Sequence, residues 1–425
     1  MLAVTMGAFL ILLAIGVPIS FTMGMASIMG MLTELSSAIP LAPQRMFVGV
    51  DSFTLLAIPL FMLAGQFMET GGISKRLVNF STSVVGHISG GLGISSVMTS
   101  VIFAGVSGSA AADTAAVGSV MIPAMKKKGY PAGLAATLQA CAGSLGPIIP
   151  PSLTMILYAT ITEVSITGLF LAGVIPGLLM GLGLMLLTFY YGKKYNLREE
   201  QKFHLMEMFK AGKEAFWALL MPIVIIGGII TGIFTPTEAG VIAVVYAFVV
   251  GLFIYKEFKL KDVPHICIEA AGGTSMVMLM IATASILGWL VAYAKLPIYV
   301  INTITAITEN PTYVLLLIIA FIMFLGLFVE TIAATIIVSP ILAPIVVQFG
   351  FDPIHFGFII VCILVFASIT PPVGGILNIT MGIGRCKMED LMPFITPYVG
   401  VMFLVVILVV FFPGLATFLP SLFMK

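Results

Sequence analysis

The stretch SGSAAADTAAVGS at 107–119 places one carboxylate, Asp113, among small and hydroxyl-bearing residues. Ser107 and Ser109 add hydroxyl oxygens close to that carboxylate in the sequence. Hard cations such as sodium prefer oxygen ligands, and backbone carbonyls of a loosened segment between Gly143 and Gly146 can complete such a shell. The pattern predicts a sodium site formed by Ser107, Ser109, Asp113, Gly143 and Gly146.

A second set of oxygen-bearing residues lies in the other half of the chain. It comprises Glu330, Thr331, Thr335, Ser368 and Thr370, and we expect it to form a second sodium site. Acids inside apolar segments are costly to bury and are usually functional, although Asp113 and Glu330 have an alternative, structural role in capping a hairpin. For Glu238, in FTPTEAG at 234–240, capping is the preferred interpretation because TPTE begins an apolar segment.

The rest of the chain has the composition of a membrane protein. Of its 425 residues, 60% are hydrophobic and 9% are charged, and the mean hydropathy is +1.18. In soluble domains roughly a quarter of the residues are charged, so we predict an all-α polytopic membrane protein. Its net charge of +1 gives no indication of nucleic-acid binding. Walker-type, HExxH and CxxC patterns are absent from the sequence, which argues against an ATP-driven motor, a metalloenzyme and an organic cofactor.

Seven apolar segments are long enough to span a bilayer. They lie at about 3–31, 53–70, 166–192, 216–234, 238–255, 263–287 and 390–412. Two more segments, 92–125 and 312–349, are interrupted near their middles, and we predict that each forms a re-entrant helical hairpin. Residues 193–213 form a long polar loop whose second half is predicted to be a surface helix.

Two further segments, 132–163 and 354–384, are predicted to be broken helices. Their centres read GPIIPPS (146–152) and TPPVGG (370–375), and proline inside a helix costs about 3 kcal/mol. Non-helical backbone at membrane depth persists only where protein, water or a ligand satisfies it, and half-helix N-termini favour anions. We therefore expect an anionic solute to bind at the breaks, through Ser144, Pro150, Ser152, Pro371 and Gly374.

The distribution of basic residues predicts the topology. With a cytoplasmic N-terminus and two re-entrant hairpins, sixteen of the 19 Lys and Arg residues fall on the cytoplasmic face. Only Arg45, Lys295 and Lys425 remain on the other face, as the positive-inside rule requires. Counting the first hairpin as a full span moves the later basic loops outside. The bias therefore favours the hairpin topology.

The two halves of the chain resemble each other and are predicted to form an inverted repeat. Asp113-Thr114 precedes Pro123 by the same ten residues that separate Glu330-Thr331 from Pro340. We divide the chain into first-repeat scaffold helices and arm (1–91), first hairpin and broken helix (92–163), connecting helices and second arm (164–311), second hairpin and broken helix (312–384), and a C-terminal transmembrane helix (385–425).

Six sequence motifs together resemble one family over essentially the whole chain. They are IPLFMLAGQFMETGGIS (58–74), AGVSGSAAADTAAVGSVMIPAMKKKGYP (104–131), GPIIPPS (146–152), FTPTEAG (234–240), GLFVETIAAT (326–335) and ITPPVGG (369–375). The chain is similar to the large membrane subunit, of the DctM type, of tripartite ATP-independent periplasmic (TRAP) transporters. The resemblance implies an elevator-type fold of the ion-transporter superfamily, sodium-coupled import of an organic acid, and a bacterial inner-membrane location. It also places the two sodium sites at the residues named above.

The same resemblance implies partners. These are a small four-helix membrane subunit, expected as a separate chain, and a periplasmic binding protein that delivers the solute. Sialic acid, for which overall similarity gives a slight preference, and C4-dicarboxylates are both compatible solutes. A single-component sodium- or proton-coupled carboxylate carrier is the alternative function, and an intramembrane enzyme or a channel is a more distant one.

Overall fold

The computed structural model describes residues 1–197, 204–371 and 374–424, and these residues form α-helices without any β-strand. In order, the helices are α1 (Leu2–Ala14), α2 (Ile19–Glu34), α3 (Leu41–Val50), α4 (Ala57–Thr70), α5 (Ile73–Val85), α6 (Gly91–Ser107), α7 (Ala110–Lys127), α8 (Ala132–Gly143), α9 (Leu153–Thr162), α10 (Ile166–Lys194), α11 (Leu205–Ile230), α12 (Pro236–Val249), α13 (Val263–Tyr293), α14 (Leu296–Ile307), α15 (Pro311–Gly326), α16 (Thr331–Gln348), α17 (Pro353–Ser368), α18 (Gly375–Gly384), α19 (Met388–Phe411) and α20 (Gly414–Phe423). The prediction of an all-α protein is confirmed for these residues.

Seven helical segments within the described residues are long and apolar enough to cross a membrane. They are Phe53–Thr70, Ile166–Lys194, Leu205–Ile230, Pro236–Ile254, Leu260–Tyr293, Thr331–Gln348 and Met388–Phe411. Six of them correspond to spans predicted from the sequence. The seventh is α16, which the sequence assigned to the second hairpin.

The predicted span at 3–31 is wrong, because the structure divides it into α1 and α2. α1 ends at Ala14; Gly16 then adopts a left-handed conformation with φ +84° and Pro18 precedes α2, so the helix is interrupted there. The two helices pack side by side, and a methyl group added at Gly30 would overlap the Thr5 side chain. The Met1 ammonium also lies 2.6 Å from Glu34 Oε1. The first 34 residues therefore form a helical hairpin whose two ends are adjacent.

The surface helix and the span predicted beyond the polar loop are one continuous helix, α11. It begins at Leu205 and extends to Ile230, with Pro222 inside it. Residues 198–203 of the predicted loop, including Arg198 and Lys202, lie outside the described residues, as does Lys425.

The first predicted hairpin corresponds to α6 and α7, which pack against each other. They are joined at Gly108, whose φ of +62° is left-handed, and Ser109 then caps α7. The predicted break in the next helix is also present, between the end of α8 at Gly143 and the start of α9 at Leu153. Leu153 N–H donates to the Gly108 carbonyl at 3.3 Å. The tip of the first hairpin thus meets the middle of the first broken helix.

The second half repeats this arrangement with looser arms. Helices α15 and α16 are joined through 327–330, while α15 packs mainly on α17 and α16 mainly on α9 and α13. Helix α17 ends at Ser368 and α18 begins at Gly375; within this second break, Pro372 and Val373 lie outside the described residues. A methyl group added at Gly326 would come 2.4 Å from Ala367 Cβ. The tip of the second hairpin therefore lies beside the second break.

The two acids do not occupy the same position in their helices. Asp113 is four residues beyond the N-cap of α7, Ser109, whereas Glu330 is itself the N-cap of α16. The spacing from acid to proline is ten residues in both halves, but Pro123 and Pro340 therefore lie at different distances from the starts of α7 and α16.

Candidate functional site

Both hairpin tips and both breaks face one cavity of about 530 Å³. Gly108, Ser109, Ala110 and Ala111 line it from the first tip, and residues from Gly326 to Ile332 line it from the second. The breaks contribute Pro147, Leu153 and Thr154 on one side and Ser368, Gly374, Gly375 and Ile376 on the other. This volume is in the usual range for small-molecule sites.

Four helices begin at this cavity: α7, α9, α16 and α18. The first-turn N–H groups of a helix have no partner within the helix, and the macrodipole places about half a positive charge at each N-terminus. Side-chain caps satisfy only some of these donors, as Ser109 Oγ does for Ala112 N–H at 3.4 Å and Ser152 Oγ for Met155 N–H at 3.2 Å. The Glu330 carboxylate already accepts first-turn N–H groups of α16. The N-termini of α7, α9 and α18 are therefore the ones suited to a solute carboxylate, although Lys and Arg are absent from the described lining of the cavity.

Beside the cavity lies an oxygen-rich cluster around Asp113, whose side chain is fully buried. Ser107 Oγ donates a hydrogen bond to Asp113 Oδ1, and Asp113 Oδ2 has no hydrogen-bond partner among the described residues. A methyl group added at Gly146 would lie 2.7 Å from Oδ2 and 3.1 Å from the Ser109 carbonyl oxygen. The structure thus brings together Ser107, Ser109, Asp113 and Gly146, four of the five residues predicted for the first sodium site.

Thr114 is a further member of this cluster, and the sequence reasoning did not select it. Its Oγ1 is buried and has no hydrogen-bond partner among the described residues. Gly143, the fifth predicted residue, lies directly against it: an added methyl group would overlap Oγ1 and approach the Thr114 Cα to 2.9 Å. The position of Thr114 next to Asp113 was the available signal in the sequence. A threonine in an alanine-rich helix is, however, equally typical of a residue that only packs against a neighbouring helix.

Unpartnered buried oxygens are costly unless a ligand satisfies them. Asp113 Oδ2 and Thr114 Oγ1 are therefore suited to a desolvated hard cation. No group of three or more His, Cys, Asp or Glu side chains comes together in the part of the chain that the structure describes, so such an ion would be held mainly by hydroxyl and carbonyl oxygens.

Replacing Gly143 with alanine is expected to weaken this cluster. The new methyl group would contact the backbone of Thr114 and separate α7 from α8, and overpacking of this kind typically costs about 1–3 kcal/mol. We expect a lower melting temperature and a smaller rise in that temperature on adding sodium, measured by differential scanning fluorimetry. Gly227→Ala in α11 is the matched control, because nothing lies within 4 Å of an added methyl group there; equal losses in both variants would contradict the prediction.

The residues of the second predicted sodium site are more dispersed. Glu330, Thr331 and Ser368 line the cavity, whereas the hydroxyls of Thr335 and Thr370 donate to the carbonyls of Thr331 and Phe366, both at 2.7 Å. Glu330 Oε2 accepts the N–H groups of Ile332 at 3.0 Å and Ala333 at 3.2 Å. Capping, the alternative considered for Glu330, is therefore present, and a second ion site at these residues stays a prediction.

The five residues predicted to bind solute are also in different places. Gly374 lines the cavity, with a left-handed φ of +46° that starts α18, and Pro371 is half-buried in the same break. Ser144 and Ser152 are buried and donate to the carbonyls of Cys141 and Pro147. Pro150 lies in a small separate pocket against α10 and α11. Of the five, Gly374 alone is among the described residues that line the cavity.

Glu238 has the capping role that the sequence indicated. Its Oε2 accepts the Thr235 N–H at 2.8 Å, and Thr235 Oγ1 accepts the Glu238 N–H at 3.3 Å. This reciprocal pair is a capping box at the start of α12, so the prediction is confirmed.

Comparison with known proteins identifies the family. The sequence profile described as "Tripartite ATP-independent periplasmic transporter, DctM component" matches residues 6–415. The chain belongs to this family. It is thus a large permease subunit of a TRAP transporter, as its motifs indicated.

Individual relatives agree with this assignment. The chain is 38% identical over 403 residues to the 2,3-diketo-L-gulonate TRAP transporter large permease protein of Escherichia coli, covering 95% of each chain. It is 38% identical over 413 residues to the sialic acid TRAP transporter large permease protein of Vibrio cholerae, covering 97% of each. The isethionate TRAP transporter permease protein of Oleidesulfovibrio alaskensis is 36% identical over 418 residues, which are 98% of this chain but 66% of that relative.

Proposed function

We propose that this TRAP permease subunit imports an organic anion by coupling it to inward movement of sodium. The observation that carries the proposal is the convergence of four helix N-termini on one cavity, beside the unpartnered Asp113 carboxylate oxygen. The N-termini of α7, α9 and α18, which no carboxylate caps, favour an anion, and the buried Asp113 carboxylate favours a cation. One small region therefore suits both a solute of negative charge and its coupling ion.

The chemical class of the solute follows from the same geometry. By their names, relatives transport 2,3-diketo-L-gulonate, sialic acid and C4-dicarboxylates, which carry a carboxylate, and isethionate, which carries a sulfonate instead. We therefore propose an organic acid whose carboxylate lies among the first-turn N–H groups around the cavity. Sialic acid remains the slightly preferred candidate within this class.

The order of events follows from charge. Sodium at Asp113 neutralises a buried negative charge at the base of the first tip, so the anion site becomes more favourable once the ion is bound. The hairpins and broken helices (92–163 and 312–384) then move as one transport domain across the scaffold, in an elevator mechanism. The packing of Leu153 on Gly108 and of Gly326 on Ala367 supports each tip moving together with its broken helix.

Two partners complete the proposed system: a small membrane subunit that braces the scaffold and a periplasmic binding protein that delivers the solute. The experiment that tests this function is reconstitution of the full chain with its small subunit in vesicles under an inward sodium gradient. Uptake of a radiolabelled organic acid is expected to require both sodium and the binding protein. Uptake by this chain alone would instead support the single-component carrier, and solute-independent single-channel currents would support a channel.

The helical hairpin at the N-terminus changes the proposed topology. Met1 packs against a buried cluster that includes Ile286 and Leu290, near the C-terminal end of α13. Lys259 and Lys261 flank the opposite end of that helix. Because α13 has 31 residues and rises by about 1.5 Å per residue, its ends are a membrane thickness apart. If the basic loops are cytoplasmic, the N-terminus is periplasmic instead.

This orientation makes a direct prediction for thiol labelling. A cysteine introduced as Ala3→Cys, in a background with Cys267→Ser, is expected to react with a membrane-impermeant maleimide in intact spheroplasts. Lys259→Cys in the same background is expected to react only after the membrane is permeabilised. The reverse pattern, read by gel shift or mass spectrometry, would restore the cytoplasmic N-terminus.

A further inference from the structure

A second cavity, of about 550 Å³, lies between α1, α13, α14, α15 and α16. Every side chain that lines it in the described residues is apolar. A water molecule needs two to four polar partners to be held in a cavity, so this one excludes ordered water. The cavity separates helices assigned to the scaffold from the two arms of the second hairpin.

The cavity reaches from the protein interior to the membrane-facing surface. At its rim, Leu10, Phe321 and Ile307 are 52–67% exposed, while Leu287, Ile336 and Leu342 inside it are 2–4% exposed. Two of its walls, α13 and α16, belong to segments that can span a membrane. Hydrocarbon from the bilayer therefore has a continuous apolar path into the cavity.

The size of the cavity favours an extended hydrocarbon chain over an α-helix as its occupant. An α-helix is about 10–12 Å wide with its side chains, so 550 Å³ would hold only about 5–7 Å of its length. Spread over the roughly 15 Å depth of one leaflet, the same volume has a cross-section of about 37 Å². That section accommodates an extended hydrocarbon chain, whose carbons contact their neighbours at about 3.5–4.0 Å.

The charge near the rim matches a phospholipid. Lys295 is exposed and immediately precedes Leu296, which lines the cavity. Arg45 lies 5.6 Å from the Trp289 ring, one residue from Gly288 in the cavity wall. These two cations stand at the end of the molecule that is otherwise poor in Lys and Arg, and each can attract a lipid phosphate.

We propose that this cavity is a binding site for one acyl chain of a membrane phospholipid, inserted between the scaffold and the second hairpin. The acyl chain would pack against the apolar side chains of the cavity and connect α13 with α16. There, an added methyl group at Gly288 would reach only to 4.0 Å from Pro340 Cγ. Among the described residues, the lining of this cavity shares no member with the lining of the solute cavity.

The test uses phosphatidylethanolamine with a diazirine at mid-chain, reconstituted with the full chain in vesicles and photolysed. Mass spectrometry is expected to find label on the buried Leu287, Ile336 and Leu342, which lipid at the protein surface cannot reach. Combining Val300→Phe with Ile304→Phe fills the cavity and is expected to reduce that label to background.

The matched control is Val245→Phe on the exposed face of α12, where Val245 is 56% exposed, and it is expected to leave the labelling unchanged. Label restricted to Leu10, Phe321 and Ile307 in the unmodified protein would overturn the proposal, and this result does not depend on any variant folding. Label on the buried residues that survives the filling substitutions would overturn it as well.

Discussion

Asp113→Ala is expected to abolish sodium-driven solute uptake while leaving the protein in the membrane. Asp113 Oδ2 is fully buried with no hydrogen-bond partner among the described residues, so its negative charge is available to a bound cation. Losing one partner of a buried charge pair typically costs about 3–5 kcal/mol, and 3 kcal/mol is already more than a hundredfold in affinity. We therefore expect sodium-dependent uptake in vesicles to fall to the level measured without sodium.

Two further variants separate ion binding from a structural role of Asp113. Asp113→Asn retains the size of the side chain and an oxygen acceptor for the Ser107 hydroxyl but removes the charge, so it is expected to lose sodium coupling while folding normally. Glu238→Gln removes an exposed acid that caps α12 and is expected to retain coupling. Sodium-coupled uptake by Asp113→Asn at the normal rate would show that the carboxylate only shapes the hairpin tip.

The sequence predicted the breaks of the fold because their signals are local. A glycine and three prolines are clustered at 146–151, and such a cluster interrupts a helix where a single proline, such as Pro222 in α11, does not; the structure places non-helical backbone there. The division between α1 and α2 was missed although Gly16 and Pro18 carry the same kind of signal. An apolar hairpin has the composition of a single span, and the packing of Thr5 on Gly30 that distinguishes them is a tertiary contact.

The candidate site shows the same limit. Asp113 could be selected because a carboxylate in an apolar segment is rare, and its cluster with Ser107 and Ser109 is contiguous in sequence. Thr114 and the orientation of Gly143 toward it depend on how α7 packs against α8, which no spacing specifies. Likewise, proximity to a proline-rich break suggested that Ser144 and Ser152 bind solute, but their hydroxyls are directed to backbone carbonyls. Residues that lie at the same break therefore need not point their side chains into the cavity.

Ala111→Asp is expected to prevent binding of an anionic solute without removing the ion site. Ala111 is exposed, lines the cavity and lies in the first turn of α7, where an acid stabilises the helix through its dipole. The variant is therefore expected to fold. A new carboxylate about 5 Å from that of the solute, at an effective dielectric constant of about 20, raises the binding free energy by roughly 3 kcal/mol.

That energy corresponds to a rise of about a hundredfold in the solute concentration for half-maximal uptake, measured in sodium-loaded transport assays with the binding protein present. Ala111→Asn adds nearly the same volume without the charge, and we expect it to change this concentration far less. Sodium-induced thermal stabilisation should persist in both variants, because Asp113 is untouched. Equal impairment by Asp and Asn would show that the cavity excludes bulk, and the electrostatic role of the four helix N-termini would then have to be abandoned.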